Sequence, residues 1–441
     1  MTRLAAIGGC LMVLAAATTS CTWTRFDDVL DNPPVERLEA PSGTSSLGLS
    51  LATYPPAAGV TLAATASDHV VLYDLGTASE PSTIATSSQS CLGDNSCVMT
   101  KHLARLKSPA RTDNLGCVAY GLGTIADSSG TPVGKLWLYC EGSVRRSLDL
   151  PQTLQDWLSG RVLNAQSAFE VASPRLVDKP TLVAALPDAP ALWFYDESNT
   201  LPVELPSLPD NQKAGRALAM IPYAGGTVVA ASSLTTDDTV WLFQVVANTT
   251  AALTGCIRGT SQLGRLLATG EFDSDDVDDL LVADASTVYV IAGSSLAALP
   301  ANGTPTCIDI NSTQIIAKTG CANLTDLNGC VGQGFASSIS AANLDGIPPD
   351  ELVVGVPDAV VRGESAAGAV FIYGIHGTSF SVADGLFVSS ATAGDRLGTS
   401  VTTAPISNVD AVLAGAPGDN SVMEFFCNSL MPAESKSARC P

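Results

Sequence analysis

The stretch 270–284 reads GEFDSDDVDDLLVAD and sets six acidic side chains into the nine positions from Glu271 to Asp279, just before a strand-like apolar run. Carboxylates packed this closely repel one another. The stretch is therefore either a solvated acidic loop or a set of oxygens gathered around a cation. Other chemistry is sparsely provided for. The chain has three histidines, His69, His102 and His376, and no two share a local motif. None sits in a nucleophile elbow or at zinc-ligand spacing, and no C-x-x-C pair occurs. The pair Gly225-Gly226 carries no phosphate-loop pattern. The expectation is a protein without catalytic residues.

Bulk composition narrows the partners. A formal charge of −21 over 441 residues disfavours a basic surface for nucleic acid or anionic lipid, and favours cations. Hydrophobic residues make up 46% and charged ones 15%, which allows a large buried core, and 38 glycines with 26 prolines imply many turns. At the N-terminus Arg3 precedes the apolar run LAAIGGCLMVLAAA, which has signal-peptide length, and small residues then lead to Cys21.

The chain has 12 cysteines, of which Cys10 would leave with a signal peptide. The others after Cys21 fall into neighbouring pairs: Cys91/Cys97, Cys117/Cys140, Cys256/Cys307, Cys321/Cys330 and Cys427/Cys440. A disulfide framework suits an exported protein. It would leave Cys21 to carry something else.

The elements that must position the acidic loop repeat along the chain. A strand-like run recurs as HVVLYDL (69–75), KLWLYCE (135–141), ALWFYDE (191–197), TVWLFQV (239–245), TVYVIAG (287–293), AVFIYGI (369–375) and SVMEFFC (421–427). Upstream of each lies a second apolar run ending in small residues, such as DLLVADAS, ELVVGVPD and VLAGAPGD. A third strand precedes most of these. A short meander cannot bury both faces alone, whereas radial stacking buries them, so the pattern predicts an all-β, seven-bladed β-propeller. A β-sandwich or two β domains is the competing architecture. The aromatic pairs Trp137/Tyr139, Trp193/Tyr195 and Trp241/Phe243 could line a sugar-binding surface, but at period two on central strands they read as core.

Two resemblances add to this. The N-terminus resembles a bacterial lipoprotein signal, with Thr18 where that family prefers an apolar residue. It implies a signal peptide over 1–20, lipidation of Cys21, and a tether over 21–45 leading to a propeller over 46–441. The alternative is ordinary cleavage and secretion. FASSISAANLDGIPPDELVVGVPDA followed by GAVFIYG (335–374) resembles an FG-GAP repeat, the unit of the integrin α-subunit N-terminal propeller. Phe335-Ala336 stands for Phe-Gly and Gly355-Val356-Pro357 for Gly-Ala-Pro. The last unit has Leu397-Gly398 and Gly415-Ala416-Pro417, and the unit before 335 has Leu263-Gly264. The likeness is specific over 263–426 and topological before it.

By that resemblance the acidic loop is a calcium hairpin. Glu271, Asp273, Asp275 and Asp279 supply side-chain oxygens and Val277 a carbonyl, matching a hard cation that takes six to eight oxygens at about 2.3–2.6 Å. Asp278 is expected to point outward, and Asp276 stands where the family has a turn glycine. A poorer calcium site is implied at Asn343, Asp345, the carbonyl of Pro349 and Glu351, with Ile347 at a position that cannot coordinate. The seventh unit keeps only Asp410 and should be metal-free.

The functional expectation is a scaffold anchored to the bacterial envelope, at the outer membrane or cell surface, that binds a protein or glycan partner through propeller loops. It would touch membrane only through its lipid and would not bind nucleic acid. A lectin-like or hydrolase module on the same scaffold is the alternative, since fold does not fix function. Mass spectrometry of the mature N-terminus is expected to find a lipid-modified Cys21. An unmodified Ala or Thr there would exclude the anchor.

Overall fold

The computed structural model describes residues 35–54, 60–66, 69–75, 82–86, 98–99, 104–107, 116–123, 135–140, 143–148, 170–174, 181–185, 192–196, 203–209, 212–233, 238–246, 250–259, 262–300, 305–312, 315–320, 334–344, 348–376, 379–386, 391–406 and 409–425. Its strands run in chain order as β1 (Val35–Glu39), β2 (Ser50–Tyr54), β3 (Val60–Thr65), β4 (His69–Leu75), β5 (Ser82–Thr86), β6 (Val98–Met99), β7 (Ala104–Lys107), β8 (Gly116–Gly123), β9 (Lys135–Cys140) and β10 (Ser143–Leu148). They continue as β11 (Glu170–Ala172), β12 (Thr181–Ala185), β13 (Leu192–Asp196), β14 (Val203–Glu204), β15 (Ala214–Tyr223), β16 (Gly226–Ser233), β17 (Thr239–Val246) and β18 (Thr250–Arg258). After β19 (Leu266–Gly270), β20 (Asp279–Ala283) and β21 (Thr287–Ile291) comes a short helix, α1 (Gly293–Ala297). The chain closes with β22 (Thr306–Asp309), β23 (Ile315–Gly320), β24 (Ser338–Ala342), β25 (Glu351–Val356), β26 (Ala369–His376), β27 (Ser379–Leu386), β28 (Val401–Ile406), β29 (Val409–Ala416) and β30 (Ser421–Phe425).

Successive strands pair antiparallel into meanders, and the first strand of each meander lies beside the first strand of the next. β2 touches β7 and β8, these touch β11, and the chain of contacts passes through β15, β19, β24 and β28 back to β2. That closed ring of inner strands makes the fold a β-propeller. By hydrogen bonding it has six sheets, and so six blades, not the seven expected. The difference lies in one eight-stranded sheet, in which two antiparallel meanders (β19-β20-β21-β23 and β24-β25-β26-β27) join along their outer strands. The join is a single parallel pairing of Lys318 with Ser379.

The ring follows from what the middle strands must bury. Every residue of β12, β20 and β25 is buried, with no polar-out alternation. Alternate side chains enter different cores. Leu280 and Val282 of β20 pack with Val228, Val240 and Leu242 on one side. Leu281 and Ala283 pack with Leu352, Val354 and Phe371 on the other. Val353 and Leu413 begin the next two interfaces in the same way. A strand sandwiched between neighbours reads as a continuous apolar run, which is why DLLVAD and ELVVGV lack alternation. Trp193, Tyr195, Trp241 and Phe243 are all buried, so these aromatics are core and not an exposed sugar platform. Trp137 and Tyr139 lie on β9, and their side chains are outside the described set.

The first and last described strands build the closing sheet. β1 pairs with β30, so its order is β1-β30-β29-β28. Residues 35–45 were expected to be tether, and the structure corrects this. Arg37 bonds Asp419 at 2.8 Å, Tyr73 donates to the Glu39 carbonyl at 2.7 Å, and Asn420 accepts from the Leu47 amide while donating to the Thr44 carbonyl. Of the signal and anchor, residues 1–34 with Cys21 lie outside the described residues.

The long connection after β21 folds back on the preceding sheet. Gln244 donates to the carbonyls of Ala297 and Leu299, and β22 adds to β18 in parallel with Cys256 opposite Cys307. Those two cysteines are bridged. Cys117 and Cys140 face each other in the β8–β9 register. Cys91, Cys97, Cys321, Cys330, Cys427 and Cys440 lie outside the described residues.

An apolar–glycine turn precedes the inner strand at several junctions, and the first meander has one too, Leu47-Gly48. Gly48 has φ +93°, and a Cβ there would lie 2.6 Å from the Cα of Gly415 on the neighbouring sheet. Gly398 has φ +86° and would meet the Gly355 Cα at 3.0 Å. Gly48 with Gly415 and Gly398 with Gly355 are thus each two halves of one backbone contact between neighbouring sheets. Gly48→Ala is expected to lower stability by about 2 kcal/mol or more, from the left-handed backbone and the contact together. Thermal unfolding checks this, and a variant as stable as wild type would refute the packing role.

Candidate metal centre

The loop 271–278 joins β19 to β20, and three of its expected ligands converge. Carboxylate oxygens of Glu271, Asp273 and Asp275 lie within 4.8 Å of one another. The turn is wound by side-chain acceptors. Glu271 Oε1 accepts from the amides of Asp273 (3.3 Å), Ser274 (2.5 Å) and Asp275 (3.3 Å). Asp273 Oδ1 accepts from the Asp275 amide at 3.2 Å, and Asp275 Oδ1 from the Val277 amide at 2.9 Å. Ser274 and Asp276 both have φ +63°, so Asp276 adopts the left-handed conformation that a turn glycine would supply. Short Asp side chains tolerate that region better than most.

Asp279 is placed differently. It is fully buried at the start of β20, where Oδ2 accepts from the Phe272 amide at 2.9 Å and Oδ1 from the Gly293 amide at 2.9 Å. Its carboxylate is outside the converging trio and fastens the loop's base to the turn before α1. Asp278, expected to point outward, is buried as well. Position 278 immediately precedes β20, so it is drawn into the sheet junction and away from the loop tip.

Electrostatics match a crowd of like charges. Burial pushes the carboxyls of Glu271 and Asp273 above their ordinary values, and an acidic neighbour adds to each. For Asp279 burial is the largest cause and repulsion from Asp273 and Glu271 adds to it. Its two amide donors oppose, and the result is about 7. A cation at the trio would relieve this repulsion. The donors are all hard oxygens, which suits calcium or magnesium better than a nitrogen- or sulfur-seeking metal. Three carboxylates do not by themselves choose between hard cations.

The weaker site is only partly described. Glu351, first residue of β25, accepts from the Leu344 amide at 2.7 Å, which repeats the Asp279–Phe272 tie seven residues apart. Asn343 and Pro349 are half-buried, and Asp345 with Ile347 lies outside the described residues. Among the described residues only the first loop gathers three potential ligands.

A cross-loop clasp was not foreseen. Asp350 Oδ2 accepts from the Glu271 amide and the Asp350 amide donates to the Glu271 carbonyl, both at 2.8 Å. The first ligand position of one loop is thereby fixed to the neighbouring meander. The acid at 350 occupies the same place in its loop as Asp278, a parallel visible in the sequence without its consequence.

No protein-family model matches the chain, and no curated protein matches it. Among solved structures, a chain of the structure titled "Crystal Structure of Mitotic Checkpoint Complex" superposes with a TM-score of 0.49 at 10% identity, covering 89% of this chain and 94% of that chain. The β-propeller assignment rests on the closed ring of inner strands. No helix among the described residues is long and apolar enough to cross a membrane.

Asp279→Ala would strand two buried amides, those of Phe272 and Gly293. The expected loss is about 2–4 kcal/mol, read by denaturant unfolding. A loss no larger than that of an exposed Asp276→Asn control, which keeps a residue tolerant of the left-handed backbone, would show that the tie is idle.

Proposed function

We propose that the chain is a non-catalytic binding scaffold built from FG-GAP-like units. In this reading calcium and disulfides harden the scaffold, a lipid on Cys21 holds it at the bacterial envelope, and its loops recognise a protein or glycan partner. The shared place of Leu47-Gly48, Leu263-Gly264, Phe335-Ala336 and Leu397-Gly398 ahead of inner strands supports the repeat. The bridge between Cys256 and Cys307 supports an oxidising compartment.

The observation that carries the calcium part is the loop at 271–279. Its carboxylates converge on a hairpin whose base is held by Asp279 and whose first position is clasped by Asp350. Glu271, Asp273 and Asp275 would hold the ion by side chains, with the Val277 carbonyl completing the turn. Calcium there supplies charge neutralisation and stiffens a junction. Glu271 and Asp275 present their oxygens, Asp279 holds the strand entry, and the broad loop faces remain for the partner.

The mature chain is expected to melt several degrees higher in calcium than in chelator, through binding to the folded state alone. Asp273→Asn with Asp275→Asn should abolish that rise. Identical melting of wild type with and without calcium would remove the metal from the proposal. A pull-down with the immobilised mature chain, with and without calcium, then tests the binding role through specific capture that the double variant weakens.

A further inference from the structure

The closing sheet holds an acid where its counterparts hold apolar groups. In the first meander Leu72 stands opposite Ala63, two residues beyond the Thr65–Val70 pair. In the β24–β27 meander Ile372 stands opposite Val353, two beyond Gly355–Val370. At the same place in the closing sheet Glu424 stands opposite Leu413, two beyond Gly415–Val422. Glu424 is 1% exposed, and its Oε1 has no hydrogen-bond partner among the described residues. An ionised carboxylate in such a place is costly unless paired or hydrogen-bonded.

Among the described residues its surroundings offer no cation. β1 places exposed Glu36 directly across from it. β29 contributes Leu413. The core on the face of Val422 is apolar apart from Tyr73, whose hydroxyl donates to the Glu39 carbonyl. Arg37 is opposite Met423 and so belongs to the other face, where it binds Asp419. Like charges directly opposite on paired strands destabilise the pairing. That pairing is the one by which the N-terminal strand closes the ring.

We propose that Glu424 is a proton-operated latch on the closing strand: protonated, it lies neutral beneath β1, and ionised, it drives β1 off the edge of β30. Lifting β1 gives the carboxylate water and separates it from Glu36, so both repulsion and desolvation are relieved by the same movement. Burial first, and Glu36 second, raise the Glu424 carboxyl from 4.5 to about 7. An acid whose value is raised in the closed state contributes stability that is fully present below the open-state value. That stability is lost as pH rises through the closed-state value. The latch therefore holds in mild acid and loosens between about pH 4.5 and about pH 7.

The test is amide hydrogen exchange on the full mature chain at about pH 5 and about pH 8, corrected for intrinsic rates and normalised to the amides of β25. In wild type the protection of Val35–Glu39 should fall about tenfold or more across that range, each unit of displaced titration being worth tenfold. In Glu424→Gln it should stay level, and in Glu36→Gln the fall should shrink. Wild-type protection that does not change with pH, or an equal fall in Glu424→Gln, overturns the latch. If Glu424→Gln does not fold, Glu36→Gln decides: a smaller fall supports the latch and an undiminished one refutes it.

Discussion

The fold depends on one constraint: its second and third strands have two apolar faces and no face for water. A single meander of such strands would leave one face wet wherever it ended. Packing each meander between two others buries both faces, and only a closed ring spares the first and last from exposure. The split of Leu280 and Leu281, adjacent in sequence, into separate cores is that constraint at residue scale. Once it is met, the outer edges and loops are not needed for the core.

Closing the ring needs close backbone approach and a fastening. The first is supplied where a left-handed glycine such as Gly48 rests on Gly415, with no side chain on either to hold the sheets apart. The second comes from the N-terminal strand, which completes a sheet otherwise made of the last three strands. The fastening is tied by polar contacts of Arg37, Tyr73 and Asn420, all reaching between segments distant in sequence.

Much of this was legible in the sequence. The third strands HVVLYDL, ALWFYDE and TVWLFQV, and the small-residue ends of the second strands, mark real elements because β-branched and aromatic runs have few other stable homes. Alternate acids at 271, 273 and 275 likewise marked a real convergence. Other features depend on partners far along the chain. VERLE carries no signal that it will pair with SVMEF, so it read as linker. The merging of two meanders turns on one pair, Lys318 and Ser379, whose residue types are indifferent to pairing. Asp278 read as outward from loop position alone, although the strand start beside it draws it inward. Leu47-Gly48 could have been found from the apolar–glycine pattern already visible at 263 and 397.

The buried acids divide by what their oxygens meet. Asp279 is enclosed at a strand start, yet both oxygens accept backbone amides that would otherwise go unsatisfied, so its burial serves the loop it anchors. Glu351 does the same one meander later. Glu424 lies mid-strand, where the amides around it are already spent on the sheet ladder, and its neighbour across the pair is another glutamate. In a chain of net charge −21, carboxylates are plentiful at the surface and need no core position for solubility. A strand core accepts Ile372 or Leu72 at this place without penalty, so an acid there cannot be explained by packing. What sets the position apart is its strand, which pairs with β1 and so joins the first described strand to the last.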